Sequence, residues 1–259
     1  MLRLSAITAT ALLSLSPGLA QQAKSDRIEP RSESFAFWQP SKTNGVETLA
    51  GYAQWRRRDL TDGSAQLELE LLFVRGSRGD ERRRVVHVEH LGDDGPHLVW
   101  REIAAKGGRT LSLALRRDGT GWNCEEWEGA ASLATTLDAS AGAALPLYTL
   151  ELVRTGQLAA GPCSVFDPLT RAFEHLSLST NHRLEASSPT KTDSEPAVSE
   201  RQAEFVRTDG TLAGRYVFRG RSLESFQWQE GGAIARRISA EDYERAAVAS
   251  AEIERPQHP

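Results

Sequence analysis

The chain has 259 residues, with 31 lysines and arginines against 35 aspartates and glutamates, for a net charge of −4 at pH 7. That balance excludes general nucleic-acid binding, which needs a basic surface. The length suits one large β domain or two small ones with a substantial core, and after the N-terminus no apolar run is long enough to span a bilayer as a helix.

Residues 1–20 read as a secretory signal. Arg3 precedes an apolar run from Leu4 to Leu15, Pro17-Gly18 breaks it, and the small residues Gly18 and Ala20 stand where a signal peptidase reads. Cleavage after Ala20 leaves Gln21 at the mature N-terminus. Gln21 is not cysteine, so lipoprotein-type lipid attachment is not available there. The expectation is a soluble exported protein, periplasmic or extracellular, with no transmembrane anchor. Residues 21–254 are expected to form a single domain and 255–259 a disordered tail.

From Glu47 to Trp127 the chain alternates strand patterns with turn signals, among them Asp62-Gly63, Gly92-Asp93, Lys106-Gly107-Gly108 and Asp118-Gly119. Leu67, Leu69, Leu71 and Phe73 share one face and Gln66, Glu68 and Glu70 the other. Leu111, Leu113 and Leu115 alternate with Ser112, Ala114 and Arg116. Period two with one polar face predicts an antiparallel meander, wet on one side. Gly129 to Ala144 is richer in Ala, Ser and Thr, with Leu133 and Leu137 four apart. Pro146 at the start and Gly156 at the end predict a short helix over 146–155; the alternative is a strand.

Strands are expected near Cys163–Phe166 and Arg171–Leu178. A polar loop or linker follows over 185–200, almost without apolar residues. Further strands are expected through Ala203–Thr208, Leu212–Phe218, Phe226–Trp228 and Ala233–Arg237. Ser239 caps a last helix over 240–254. About twelve strands in sequence order, with one or two helices, predict a mainly β fold whose meander curls into a barrel or half-barrel, because twist accumulates and edges must be dealt with.

Cys124 and Cys163 are an even pair in an exported chain, which predicts one disulfide; the alternative is two buried thiols. The spacing excludes a cysteine zinc site. His87-Val88-Glu89-His90 places its histidines on opposite strand faces, so no metal centre is expected. Arg56-Arg57-Arg58 and Arg82-Arg83-Arg84 read as solvated faces, and Arg78-Gly79-Asp80 as turn chemistry. Glu125, Glu126 and Glu128 around Trp127 diverge along a strand. No nucleophile elbow, phosphate loop or zinc-protease motif occurs. No catalytic residue and no cofactor are therefore expected.

The aromatic residues carry the functional reading. Trp38, Trp55, Trp100, Tyr216, Phe218, Phe226 and Trp228 fall on predicted strands. In a curled sheet, Trp55, Tyr216, Phe218, Phe226 and Trp228 become candidates for lining an apolar cavity on the concave face; the alternative is an ordinary core beneath the helices.

The order of these parts, a signal peptide, a long antiparallel meander, an intervening helix and a final run of strands, resembles the periplasmic lipoprotein carriers of the LolA/LolB-like half-barrel type. The resemblance covers most of the mature chain at the level of strand order, without a diagnostic motif. It implies a half-barrel that holds acyl chains under helices, with a lipid, a lipoprotein or another envelope protein as partner. The leading expectation is a non-enzymatic exported protein that binds a hydrophobic ligand or cell-envelope component in its curved sheet. One alternative is a packed interaction or structural protein without a ligand; another is a secreted hydrolase with an unrecognised site.

Overall fold

The computed structural model describes residues 31–40, 46–74, 83–93, 95–104, 110–119, 121–128, 130–138, 142–183, 200–228 and 232–254. The expected signal sequence, Arg78-Gly79-Asp80, the expected linker up to residue 199 and the tail 255–259 lie outside them.

Among the described residues, period-two patterning and tight turns produce one sheet of fifteen strands. The first eight are β1 (Arg31–Pro40), β2 (Glu47–Asp59), β3 (Ala65–Phe73), β4 (Arg83–Gly92), β5 (Gly95–Ala104), β6 (Thr110–Asp118), β7 (Gly121–Glu128) and β8 (Ala131–Leu137). The short β9 (Ala143–Ala144) leads into helix α1 (Pro146–Thr155). Then come β10 (Gly161–Asp167), β11 (Ala172–Arg183), β12 (Glu200–Arg207), β13 (Leu212–Arg219), β14 (Ser222–Trp228), β15 (Ile234–Ile238) and helix α2 (Ala240–Glu254).

The two meanders join where β1 pairs with β15, giving the order β8-β7-β6-β5-β4-β3-β2-β1-β15-β14-β13-β12-β11-β10-β9. All pairings are antiparallel except β9 with β10. The expected mainly β curled meander is the fold. Both helices fall where the capping signals place them.

The sheet curls until its two ends meet through side chains. Trp122 of β7 lies 5.4 Å from Phe173 of β11, centroid to centroid. Phe166 of β10 is buried in one cluster with Val85, Leu98, Leu113 and Leu115. Arg171, in the β10–β11 turn, reaches Glu126 of β7 at 2.7 Å. It does so from a φ of 58°, a left-handed conformation uncommon for a residue with a Cβ. β8 continues beyond this closure, and Ala131 through Thr136 are all exposed.

Two expectations need correction. The outer face of β2–β4 is not simply wet. Tyr243 of α2 is buried there, Glu70 is 6% exposed, and Arg56 bonds Glu68 at 2.6 Å while Arg84 reaches Glu70 at 2.7 Å. Burial, with the Glu70 carboxylate beside it, pushes the Tyr243 hydroxyl well above its ordinary range.

The second correction concerns Cys124 and Cys163, which are free thiols. Cys124 of β7 packs with Trp122, Leu113 and Leu115, whereas Cys163 of β10 packs against the cluster around α1. Burial raises both thiols, for Cys124 with a further push from Glu126. They behave as small core residues rather than as thiolates.

Candidate functional site

The site begins with α1, because that helix lies inside the curl. Along Pro146–Thr155 no residue is exposed, and Leu147, Thr149, Leu150, Glu151, Val153 and Arg154 are buried. A surface helix would leave one polar face wet. Here Leu147, Leu150 and Val153 enter a core that also takes side chains from β1, β2, β3 and β10 to β15.

Distant strands satisfy both ends of the helix. Leu145 at the N-cap makes no side-chain capping bond. Instead Glu89 of β4, 0% exposed, accepts the N–H groups of Leu147 and Tyr148, each at 2.7 Å. A carboxylate there meets both the orphan amides and the positive end of the helix dipole. His87 Nε2 lies 2.8 Å from the same carboxylate. At the other end Gly156 takes φ 74°, and Arg201 of β12 donates to the Arg154 carbonyl at 2.7 Å.

Beside this C-terminal end sits a buried ionic group. The Arg154 guanidinium donates to Glu33 of β1 at 2.8 Å, comes within 3.7 Å of Glu151, and stacks 4.0 Å over the Trp55 ring. Arg57 of β2 bonds Glu151 at 3.0 Å, and Glu33 also accepts the Leu223 N–H at 3.2 Å. Desolvation pulls the Arg154 guanidinium down, and Glu33 and Glu151 push it back. The Arg56-Arg57-Arg58 triplet is thus split by the period of the strand: Arg56 faces outward to Glu68 and Arg57 inward to α1.

Glu33, Trp55 and Arg57 mark the level at which α1 sits. Four residues along β1, about 13 Å at the rise of a strand, Phe37 and Phe73 meet edge to face at 5.3 Å. Gly51 stands between them in the register Phe37–Gly51–Phe73. A Cβ on Gly51 would overlap the Leu72 carbonyl oxygen and Phe37 Cζ, so this close approach requires glycine. Tyr216 contacts Phe205 at 5.8 Å and Phe226 at 6.2 Å, and Phe226 contacts Phe35 at 5.1 Å. Leu69, Leu71, Phe73 and Tyr216 pack on this core yet remain partly exposed.

The structure brings four of the five aromatic candidates into one cluster. Trp55 is covered by Arg154, and Phe218 lies under Arg201, whose guanidinium is 5.1 Å from the ring. Phe226 is buried among other rings, while Tyr216 stays partly open. Trp228 lies opposite Gly214 on the β13–β14 ladder, and its side chain is outside the described residues.

Sequence reasoning missed the polar anchors Glu33, Glu89, Glu151, Arg154 and Arg201. Glu89 was legible only as an inward position, in phase with Val85 and His87. His90 faces the other way and stacks on His97 at 4.5 Å. Among the described residues no group of three or more His, Cys, Asp or Glu could hold a metal ion, and no helix is long and apolar enough to cross a membrane.

No family model and no curated protein matches the chain. Among solved structures it is similar to a beta-barrel-like protein of domain of unknown function DUF1849 from Brucella abortus, with a TM-score of 0.57 at 8% sequence identity. The match covers 81% of this chain and 96% of that one. A likeness at that identity is one of fold, and it establishes a large curled β-sheet.

Proposed function

We propose that the chain is an exported, non-enzymatic protein that holds a hydrophobic ligand, or an apolar part of an envelope component, at the end of its curled sheet away from the α1 anchors. The observation that carries this reading is the partly exposed set Leu71, Phe73 and Tyr216, which is continuous with the buried core yet not sealed by it. The likeness to lipoprotein carriers points the same way as an analogy of fold. The aromatic candidates then divide in role: Tyr216 meets the ligand, while Trp55, Phe218 and Phe226 form the floor.

The binding energy suffices. Burying an acyl chain gains about 0.8 kcal/mol per CH₂, so even a half-sequestered chain exceeds an association cost of at least about 4 kcal/mol. Palmitate titrated into the mature protein should change tryptophan emission saturably. Phe73→Arg and Tyr216→Arg, which place a charge at the opening, should each weaken binding at least about tenfold. Native mass spectrometry of protein purified from its own envelope should find a bound lipid. No saturable response and no copurified lipid would refute the reading.

A second reading, a packed interaction module without a ligand, is favoured by α1, which fills the centre of the curl with its own side chains. It is the account that remains if the titration fails. The hydrolase reading has little chemical support. His87, the histidine beside a carboxylate, is 6% exposed, and its partner Glu89 already accepts two helix amides.

A further inference from the structure

We propose that the free edge of β8 pairs with β8 of a second copy of the chain, extending the sheet across a two-fold axis into a dimer. This rests on β8 alone and is independent of what the interior binds. Four observations carry it.

First, β8 ends the strand order, with β7 on one side and no ladder partner on the other among the described residues. Ala131 through Thr136 are exposed, and Leu133 is 65% exposed. Second, the strand Ala-Ser-Leu-Ala-Thr-Thr-Leu has no charge and no proline. Monomeric proteins guard long edges with charge, proline, bulges or covering segments, and none of these devices occurs within β8. The ladder to β7 runs unbroken from Trp122–Leu137 to Glu128–Ala131.

Third, the strand is complementary to itself. An antiparallel pair centred on Ala134 sets Ala134 opposite Ala134, Leu133 opposite Thr135, Ser132 opposite Thr136 and Ala131 opposite Leu137. Ser–Thr and aliphatic pairs are favourable cross-strand neighbours, and no like charges face each other. The acidic residues Glu125, Glu126 and Glu128 lie one strand back, on β7. The two β7 strands of the dimer would be about 14 Å apart at ordinary strand spacing, beyond the screening length of about 8 Å at physiological salt.

Fourth, the opposite edge of the sheet cannot accept β8. β9 has two residues, both partly buried, and runs directly into the fully buried Leu145 and α1. β10 behind it carries Pro162, which has no N–H to offer. Head-to-tail growth is therefore blocked, and the contact closes on itself as an isologous dimer.

Sedimentation velocity on the full mature chain tests this from about 1 µM to about 1 mM, the range set by a small interface. The expected result is a reversible doubling of mass with concentration. Ala134→Lys and Ala134→Glu each set two like charges face to face and should each remain monomeric. An equimolar mixture of the two should regain the dimer. The site is exposed, so thermal unfolding of each variant should match the parent and show that the fold is intact. A parent that stays monomeric throughout would overturn the proposal. So would single variants that dimerise as well as the parent, or a mixture that does not dimerise.

Discussion

Replacing Arg154 by Met removes the cation at the centre of the interior ionic group and nearly preserves its volume. The Arg154 side chain is 0% exposed, and its partners Glu33 and Glu151 are 1% and 7% exposed. Glu151 keeps Arg57 at 3.0 Å, whereas Glu33 keeps, among the described residues, the Leu223 amide at 3.2 Å. A buried carboxylate that loses its partner costs about 3–5 kcal/mol, and loss of the guanidinium stacked on Trp55 adds about 1 kcal/mol. Arg154→Met should therefore destabilise by about 5 kcal/mol. Glu33→Leu alone should cost about 3 kcal/mol, because Arg154 is then left with Glu151 at 3.7 Å. In the double variant both charges are gone and an apolar pair replaces them. Its stability should return to within about 1–3 kcal/mol of the parent, the remaining loss coming from the Leu223 N–H without its Glu33 acceptor. Urea unfolding of the four proteins, followed by tryptophan emission and circular dichroism, gives the coupling energy directly. If Arg154→Met cost less than about 1 kcal/mol, or the double variant lost the sum of the singles, Arg154 would not be the buried counter-ion of Glu33.

Gly51→Ala should cost about 1–3 kcal/mol, read as a fall in melting temperature, because its Cβ would overlap the Leu72 carbonyl oxygen and the Phe37 ring. Little or no change would mean that Phe37 and Phe73 do not close over that glycine. Without reductant, Cys124 and Cys163 should both react with a thiol reagent in denaturant, and both should react slowly in the native protein at neutral pH, since burial holds each thiol above its ordinary range. Denatured protein with no reactive thiol would restore the disulfide.

Where local pattern decided local structure, the chain was legible. The alternation in β3 and β6, the turns at Asp62-Gly63 and Asp118-Gly119, Pro146 with Gly156, and Ser239 all place elements where they occur. Residues 131–137 were opaque, because Leu133 and Leu137 four apart among Ala, Ser and Thr imitate a helix. Pairing with β7, a non-local contact, makes the segment a strand. The interior polar anchors were opaque for the same reason. Arg154 and Glu33 are 121 positions apart, and nothing near either residue marks it as buried. The aromatic residues were legible as interior but not as cavity or core, because that depends on where α1 lies, and α1 is placed by its anchors.

Those anchors connect the fold to the proposed site. Apolar side chains alone would let a short helix slide or rotate within a curled sheet, since apolar burial has little directional preference. Glu89 fixes the first turn through two backbone amides, and Arg201 holds the last turn through a carbonyl. Glu33 and Arg57 grip Arg154 and Glu151 from neighbouring strands and so set the rotation. An apolar replacement could be as stable as this ionic group, so its contribution lies in specifying one depth and one rotation rather than in stability. A helix fixed at that depth covers Trp55 through Arg154 and leaves Leu71, Phe73 and Tyr216 partly open. The opening therefore depends on the charges that hold the helix at its two ends. On this argument the Glu33→Leu/Arg154→Met double variant should recover most of the parent's stability yet bind an apolar probe differently, because the helix would no longer be held in a single position. A double variant that matched the parent in both stability and probe binding would show that the ionic group has no part in positioning α1.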